Sequence, residues 1–417
     1  MRRSLIGLVA LCVAPSALAA DSPGHDQAPG QQFHITAESL PQPGGGLPPG
    51  HPPKTIPRGE HLPLVPEGFA INLYLDEVDS PRRLIAAKSG LVFMSQQSTG
   101  GLIVLLDSNS DGVPDYIDAV SKGANNPFGM GIITGGPKDG DMVLADSDSL
   151  TYLPIMAGGN PERLTEAEAF GPAEGHITRE VAIDPKTNQI YVGVGSMSNL
   201  SADEPPMKAT IQRFDSGGKN AVTFATGLRN VTGMDFEPTT GALYGVVMER
   251  DGMGDALVPD FLARIDEGDN FGWPYQYTGG NVQPGMNTET MKLAAAKTPD
   301  VLFEAHSAPL DMAFIPDSWP EEYRGDALVA LHGSWEAASP RGYKVVRVHF
   351  TDGTPDGTYE NFITGFWVSG EAPAEVWGRP CSLAFTPDGA LLMGDDWGKT
   401  IWRIIPPGWV APPPVTQ

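Results

Sequence analysis

Short apolar runs separated by turns of Gly, Asp and Pro make up most of the chain between residues 63 and 405. No segment shows the sustained 3.6-residue periodicity of a long amphipathic helix. Apolar runs of about four to eight residues that are bounded by turn residues are typical of β-strands. The pattern therefore predicts an all-β domain over residues 63–405.

An internal repeat organises these runs. Each copy has a polar residue at its start, a short apolar strand, a turn with Pro, Asp or Gly, and a second apolar strand. The six copies start at Arg82, Asn126, His176, Arg229, His306 and Arg379. Repeated β units with inserted loops indicate the blades of a propeller, a fold that also leaves few exposed sheet edges. We therefore predict a six-bladed β-propeller.

The six residues at the starts of the repeats should lie close together, because equivalent ends of the innermost strands meet at one face of a propeller. Polar residues at such positions can simply cap strands or bind one another. A set of six that converges on one pocket favours a ligand site instead. We predict such a site at the axis of the propeller.

Both ends of the chain differ in composition from the repeats. Residues 1–19 have a basic start, an apolar stretch and an Ala17-Leu18-Ala19 cleavage pattern, which predicts a signal peptide and a periplasmic protein. Residues 20–62 predict a Pro/Gly-rich extended leader with little packing of its own, and residues 406–417 a Pro-rich tail. No later apolar run approaches the roughly 20 residues of a membrane helix, so we expect no transmembrane anchor.

The chain is acidic, with a formal net charge of −24. Such a surface repels nucleic acid and anionic lipid, so we expect neither as a partner. It is compatible with neutral substrates and with calcium. The sequence contains no C-x-x-C-H motif for a covalent haem, so any redox reaction needs an external electron acceptor.

One acidic loop, residues 248–255, follows the fourth repeat. It places Arg250, Asp251, Gly252 and Asp255 around a Gly-rich turn. Carboxylate and carbonyl oxygens are the ligands that a hard cation such as Ca²⁺ takes. The loop is therefore a candidate calcium site, and the alternative is a solvated loop.

A second acidic loop follows the first repeat. Asp107, Asn109, Asp111 and Asp115 stand at positions 1, 3, 5 and 9 of an EF-hand-like spacing, with Gly112 at position 6. No helix is predicted on either side of this loop. We keep two interpretations, a structural calcium loop and a polar hairpin turn.

Six motifs that occur in order over about residues 65–405 resemble soluble sugar dehydrogenases that depend on pyrroloquinoline quinone (PQQ). They are GLRNVTG at 227–233, ERD at 249–251, NFGWPY at 270–275, HGSW at 332–335, GYKVVRV at 342–348 and GRP at 378–380. The L-sorbosone dehydrogenase-like branch is the most similar. This resemblance also implies a six-bladed propeller.

The resemblance implies roles for individual residues. His176 would be the base that takes the proton of the substrate hydroxyl, and Arg229 would polarise the quinone carbonyl that accepts hydride. The turn at Asp251 and Gly252 would hold the active-site Ca²⁺. The residues implied to contact the cofactor are Gln97, Arg229, Asn230, His332, Ser334, Arg379 and Asp396.

The chain also departs from the family pattern. Glu336-Ala337 stands where the sorbosone branch has an Asn-Arg pair, and Val231 stands where Pro is usual. The sequence as a whole predicts a PQQ- and Ca²⁺-dependent dehydrogenase that oxidises a sugar or sugar aldehyde and passes electrons to a quinone or cytochrome c. The alternatives are a calcium-dependent lactonase-type propeller and a non-catalytic binding propeller.

Overall fold

The computed structural model describes residues 26–44, 50–288 and 293–411. The predicted signal peptide and the last residues of the Pro-rich tail lie outside the described residues. Within them the chain forms β-strands and three short 3₁₀ helices, Ala37–Ser39, Gly136–Lys138 and Glu321–Tyr323. The prediction of an all-β chain is confirmed.

Most strands belong to antiparallel sheets that follow one another along the chain, which we number sheet 1 to sheet 6. The strands of sheet 1 are Pro81–Ala86, Val92–Gln96, Gly101–Leu106 and Tyr116–Ser121. The strands of sheet 2 are Met130–Ile132, Met142–Ala145, Leu150–Leu153 and Glu162–Arg163. The strands of sheet 3 are Arg179–Ile183, Ile190–Val194, Thr210–Phe214 and Val222–Thr226.

The remaining large sheets include strands that are distant in sequence. The strands of sheet 4 are Val231–Phe236, Leu243–Val247, Pro259–Arg264 and Val301–Ala305. The strands of sheet 5 are Pro309–Phe314, Ala327–Leu331, Lys344–Thr351, Thr354–Ile363 and Gln32–His34. The strands of sheet 6 are Pro380–Phe385, Leu391–Asp395, Thr400–Ile405 and Ala70–Leu75.

Two small sheets lie outside this series. In one, Gln276–Tyr277 pairs with Asn281–Val282. In the other, Glu375–Val376 lies between Trp367–Ser369 and Lys54–Thr55.

The first strands of the six sheets pack side by side. Each contacts the first strand of the next sheet, and the first strand of sheet 6 contacts that of sheet 1. Together they surround a cavity of about 340 Å³ that is lined by residues from all six first strands. This arrangement is that of a β-propeller. The two apolar runs of each sequence repeat are the first and second strands of the corresponding sheet.

Apolar side chains fill the space between neighbouring sheets. The cluster between sheets 5 and 6 contains Trp319, Trp377 and Trp402, each of which is at most 1% exposed. Each indole N–H of Trp319 and Trp377 donates to a backbone carbonyl, of Gly389 and Gly365 respectively, so these large rings are buried without losing their hydrogen bond.

The leader is more firmly attached than its composition predicts. Gln32–His34 is a fifth strand on the outer edge of sheet 5, and the ring of Phe33 stacks on Tyr359 with 4.9 Å between centroids. The Lys344 ammonium is fully buried and lies 2.8 Å from the Asp26 carboxylate and 4.3 Å from the Phe33 ring. Pairing with sheet 5 satisfies the backbone hydrogen bonds of this part of the leader. The leader can therefore pack on the propeller although it has few apolar side chains.

The two ends of the propeller sequence meet in sheet 6. Ala70–Leu75 is its outermost strand and pairs with Thr400–Ile405, which precedes the Pro-rich tail. Just beyond that strand, the Trp409 indole donates to the Asp388 carbonyl at 2.7 Å. The described residues contain no helix that is long and apolar enough to cross a membrane.

We predict that Asp26→Asn destabilises the protein by about 2 kcal/mol, because it leaves the buried Lys344 ammonium without its nearest carboxylate. Chemical denaturation of the mature chain measures the change. Asp352→Asn, in an exposed turn, is the matched control. Equal stability of Asp26→Asn and the wild type would show that the leader does not contribute through this pair.

Candidate active site

The residues at the starts of the repeats are brought together at one end of the propeller axis. Two adjoining cavities, of about 270 and 500 Å³, share His176 and Met248 in their walls. Arg229, His306 and Arg379 line the smaller cavity, and Arg82 and Asn126 line the larger one. All six predicted residues therefore face one compound pocket.

A second set of residues in this pocket follows the second strands of the sheets. Because an antiparallel second strand returns to the end where the first strand starts, residues just after it must lie beside the first set. Gln97, Met248, His332 and Asp396 line the two cavities, and Ser196 lies behind them, in contact with His176. Three of them were predicted from the family resemblance, whereas Ser196 and Met248 were missed although the strand pattern alone could have indicated them.

The imidazole of His176 is held as a neutral base. Its Nδ1 lies 3.0 Å from both the carbonyl oxygen and the hydroxyl oxygen of Ser196, and that hydroxyl donates its own proton to the Ser198 carbonyl at 2.7 Å. Nδ1 must therefore carry the proton, which leaves a lone pair on Nε2. Burial and the charge of Arg229 lower the pKa of His176 to about 4.

The small residue Gly195 makes room for this arrangement. A Cβ at this position would overlap the His176 side chain and the Asn230 amide oxygen. That amide oxygen is buried and has no hydrogen-bond partner among the described residues. It is therefore available to a ligand.

Two guanidinium groups of the pocket are buried without a carboxylate partner. Arg229 donates to the Glu249 carbonyl at 2.8 Å and to the Asn199 side-chain oxygen at 3.1 Å. Arg379 donates to the backbone carbonyls of His332 and Gly333. In the part of the chain that the structure describes, neither has a carboxylate within 4.0 Å. Because an uncompensated buried charge is costly, the pocket favours an anionic ligand.

The acids that act on Arg229 include Asp251, whose carboxylate is bonded to His306, and Glu249. Burial raises the pKa of Glu249 to about 8, so its carboxyl group is largely protonated at neutral pH.

The aromatic faces of Trp335 and Trp397 lie 5.4 and 4.7 Å from the Arg379 guanidinium, and Trp335 is 46% exposed at the pocket.

Asp396 joins Arg82 to His332. Its carboxylate accepts from Arg82 Nη1 at 2.6 Å and from His332 Nε2 at 2.8 Å. Burial alone would raise the pKa of Asp396, but His332, Arg82 and Arg379 outweigh it and hold the pKa well below its usual range. Burial and Arg379 lower the pKa of His332 to about 4, so His332 is neutral and donates through Nε2.

Gln97 and Ser334 occupy different environments. Gln97 lines the larger cavity beside Asp396. Ser334 is buried behind the pocket, where its hydroxyl accepts from the Arg341 backbone N–H at 3.1 Å. At one departure from the family pattern, Glu336 lines the smaller cavity and Ala337 is buried, and at the other, Val231 is buried at the start of its strand in sheet 4.

The acidic loop 248–255 forms one wall of the pocket. The two ring nitrogens of His306 lie 2.9 Å from the Asp251 carboxylate and 3.1 Å from the Gly254 carbonyl, so both nitrogens must donate. Burial opposes this charge, but the Asp251 carboxylate outweighs it and raises the pKa of His306. His306 is therefore a cation, and its two hydrogen bonds fix the turn around Gly252.

Not every residue of that loop is available to a metal ion. Asp255 binds Arg341 at 2.6 Å, and the Arg250 side chain donates to the Asp251 carbonyl and to Gln283. Across residues 26–44, 50–288 and 293–411, no group of three or more His, Cys, Asp or Glu side chains is spaced to hold a metal. A cation at this turn would need backbone carbonyls and ligand oxygens to complete its coordination.

The loop after the first repeat is held in shape by its own hydrogen bonds, and its role as a calcium loop stays a prediction. The Asp107 carboxylate accepts from the Asp111 and Gly112 backbone N–H groups, and Asn109 also accepts from Asp111. Asp115 accepts from the Ser108 hydroxyl at 2.6 Å. The side-chain oxygens thus bond within the loop itself. Strand register places the loop at the opposite end of sheet 1 from Arg82.

A family model described as TrAA12-like matches residues 262–405. A PQQ-dependent pyranose dehydrogenase from Coprinopsis cinerea is 38% identical over 84 residues, 18% of this chain and 11% of its own. An uncharacterized protein of Borreliella burgdorferi is 26% identical over 357 residues, 82% of this chain and 90% of its own. The resemblance to soluble PQQ-dependent sugar dehydrogenases is confirmed, whereas the similarity to the L-sorbosone dehydrogenase-like branch stays a prediction.

Solved structures give the same result for the fold. The PQQ domain of Coprinopsis cinerea pyranose dehydrogenase in its holo form has a TM-score of 0.68 at 21% identity, covering 84% of this chain and 98% of its own. A calcium structure of the Trichoderma reesei family AA12 enzyme has a TM-score of 0.67 at 17% identity, covering 82% of this chain and 96% of the enzyme chain. The TrAA12-like segment contains His306, His332, Arg379 and Asp396, and the opposite wall of the pocket precedes it.

We predict that His176 is neutral at pH 7 with its proton on Nδ1, and that it protonates with a midpoint near pH 4. Nitrogen NMR of the histidine-labelled protein tests this, with His176→Asn to assign the signal. Because the folded-state pKa lies below the usual 6.5, protonation also destabilises the fold as the pH falls from about 6.5 toward 4. A midpoint near 6.5, or a proton on Nε2, would contradict the orientation described here.

Proposed function

We propose that this chain is a periplasmic PQQ- and Ca²⁺-dependent dehydrogenase that oxidises a sugar or sugar aldehyde and passes the electrons to a quinone or cytochrome c. One observation carries the proposal: a neutral imidazole with a free lone pair lies in the same pocket as two buried guanidinium groups that lack carboxylate partners. That combination suits an anionic oxidant and a substrate that must lose a proton.

The polar groups of the pocket fit PQQ. Its carboxylates and quinone oxygens would accept from Arg229 and Arg379, which offer delocalised charge and several N–H donors. The unpartnered Asn230 oxygen adds a polar contact. The exposed face of Trp335 offers a flat apolar surface next to these cations. The PQQ-containing fold relative supports the same assignment.

Calcium fits the same wall of the pocket in a more limited way. The turn around Gly252 carries backbone carbonyls and the Asp251 carboxylate, but His306 and Arg250 already donate to the Asp251 and Gly254 oxygens. Since side chains alone do not complete a cation site here, we infer that Ca²⁺ binds together with the anionic cofactor. The calcium structure of the Trichoderma reesei enzyme supports this inference.

The residues of the chain then divide the reaction between them. When bound, PQQ supplies the carbonyl that accepts hydride from the substrate carbon. His176 takes the proton of the substrate hydroxyl on Nε2, while Nδ1 remains bonded to Ser196. Arg229 donates to the oxygen on which negative charge develops. His332, Asp396 and Arg82 form a fixed wall of neutral and paired groups beside the substrate.

The two alternatives are less well supported. A lactonase-type site would use carboxylate and amide oxygens around one axial ion, but the residues at the strand starts here are mainly Arg and His. A purely binding role would be favoured if Glu336-Ala337 had removed the cationic character of the pocket. Arg229 and Arg379 retain that character.

We also propose that the six sheets are the blades of a closed propeller. The contacts that link the first strand of each sheet to the next, and sheet 6 to sheet 1, support this count. The strand that sheet 6 receives from residues 70–75 supports closure at that sheet.

We predict that the mature protein binds PQQ in the presence of Ca²⁺ and that Arg379→Met weakens binding by at least about 10-fold, because a charged hydrogen bond to the cofactor is lost. Calorimetry with PQQ as the titrant measures this, and dye reduction with a panel of aldoses and sorbosone measures turnover. Arg213→Met, an arginine paired with Glu267 on the surface of sheet 3, is the control. No PQQ binding by the wild type would refute the proposed function.

We predict that His176→Ala lowers kcat by about 10²- to 10⁴-fold, since general-base catalysis has this magnitude, while the Kd for PQQ changes less than about threefold. Parallel calorimetry and steady-state kinetics separate the two effects. Loss of PQQ binding in this variant would instead make His176 a cofactor ligand.

A further inference from the structure

A buried arginine holds the segment that carries His176. Arg179 is the first residue of the strand Arg179–Ile183, is fully buried and lies over the ring of Phe170 at 5.9 Å. Its Nη1 donates at 2.7 Å to the carbonyl of His176 and at 2.7 Å to the carbonyl of Thr178. Both acceptors belong to the segment that positions the imidazole.

The burial of Arg179 is not explained by charge pairing. In the part of the chain that the structure describes, it has no carboxylate within 4.0 Å, and its Nε and Nη2 are buried without a hydrogen-bond partner. Burial lowers its pKa to about 10, so the group is still charged at neutral pH. An apolar side chain of similar volume would serve stability as well or better.

The bonds of Arg179 complete the fixation of the His176 backbone. On the other side, the His176 N–H donates to the Ser196 carbonyl at 3.0 Å. Gly175 has φ +69, and a Cβ there would overlap the Met197 backbone, so the segment already lies as close to residues 196–198 as it can. The bond from Arg179 Nη1 therefore holds the carbonyl of His176 on its remaining side.

We propose that Arg179 is a positioning residue for His176, which sets the direction of the Nε2 lone pair by holding the carbonyls of residues 176 and 178. The effect of this role on turnover rests on the proposed function. Its effect on the orientation of the imidazole does not, because Arg179 holds His176 in the cofactor-free protein as well.

The test compares Arg179→Met, which removes the Nη1 donor and the charge, with Arg179→Lys, which keeps the charge but, being shorter, does not bring its nitrogen to the position of Nη1. Arg213→Met is the matched control, since Arg213 also lies over an aromatic ring, that of Phe224 at 5.5 Å, in the same sheet. Melting temperature, PQQ affinity, kcat and the NMR titration of His176 are measured for each.

We expect both Arg179 variants to melt within a few degrees of the wild type and to bind PQQ with a Kd within about threefold. In both, kcat falls by about 10- to 100-fold, as expected for a misplaced catalytic group. In the cofactor-free protein, the loosened and better hydrated imidazole titrates higher, moving from near 4 toward 6.5. The charged groups that face His176 are unchanged in these variants; they are Arg82, Lys208, Arg229, Asp251, His306 and Asp396.

Three results would overturn the role of Arg179. The first is that Arg179→Met keeps both the kcat and the His176 titration of the wild type. The second is that Arg179→Lys keeps full kcat while Arg179→Met loses it. The third is that both variants are unfolded at ambient temperature. Failure of the wild type to bind PQQ, together with the expected change in the His176 titration, would refute the proposed function and leave this inference standing.

Discussion

Because the first strand of each sheet packs against the first strand of the next, six strands surround a common cavity and start at the same end of it. Side chains at these starts cannot avoid one another, and residues that follow the second strands join them from the same direction. The pocket is therefore a direct result of strand packing. Its chemistry depends on which side chains the six sheets place there.

The chemistry of the pocket depends on charges that the protein leaves uncompensated. Arg229 and Arg379 donate to neutral oxygens, and the neighbouring Glu249 is held largely protonated by burial. Elsewhere in the pocket the charges are paired, as with Asp396 between Arg82 and His332. The paired groups line the sides of the pocket, and the two guanidinium groups without a carboxylate partner favour the binding of an anion between them. Burial, together with the charge of Arg229, keeps the neighbouring His176 unprotonated.

The repeat pattern was enough to predict an all-β chain and the meeting of Arg82, Asn126, His176, Arg229, His306 and Arg379, because both depend only on strand periodicity. The orientation of individual groups could not be predicted in this way. Asp255 lies in an acidic loop in sequence, but Arg341, distant in the chain, binds its carboxylate. The oxygens of the 107–115 loop have EF-hand spacing, yet bonds to the loop backbone use them. Arg179 has an ordinary place in a strand, and only its three-dimensional contacts with the preceding segment give it significance.

Sheet 6 combines a strand from near the start of the mature chain with three strands from its end. A polypeptide is synthesised from its amino terminus, so residues 70–75 must wait for their partners until almost the whole chain has been made. During that interval the exposed edge of this strand is open to other chains. Correct assembly therefore depends on how long this edge stays unpaired and on any chaperone that shields the segment, and a nonsense mutation even close to the 3′ end of the gene would leave sheet 6 without its last partner strands.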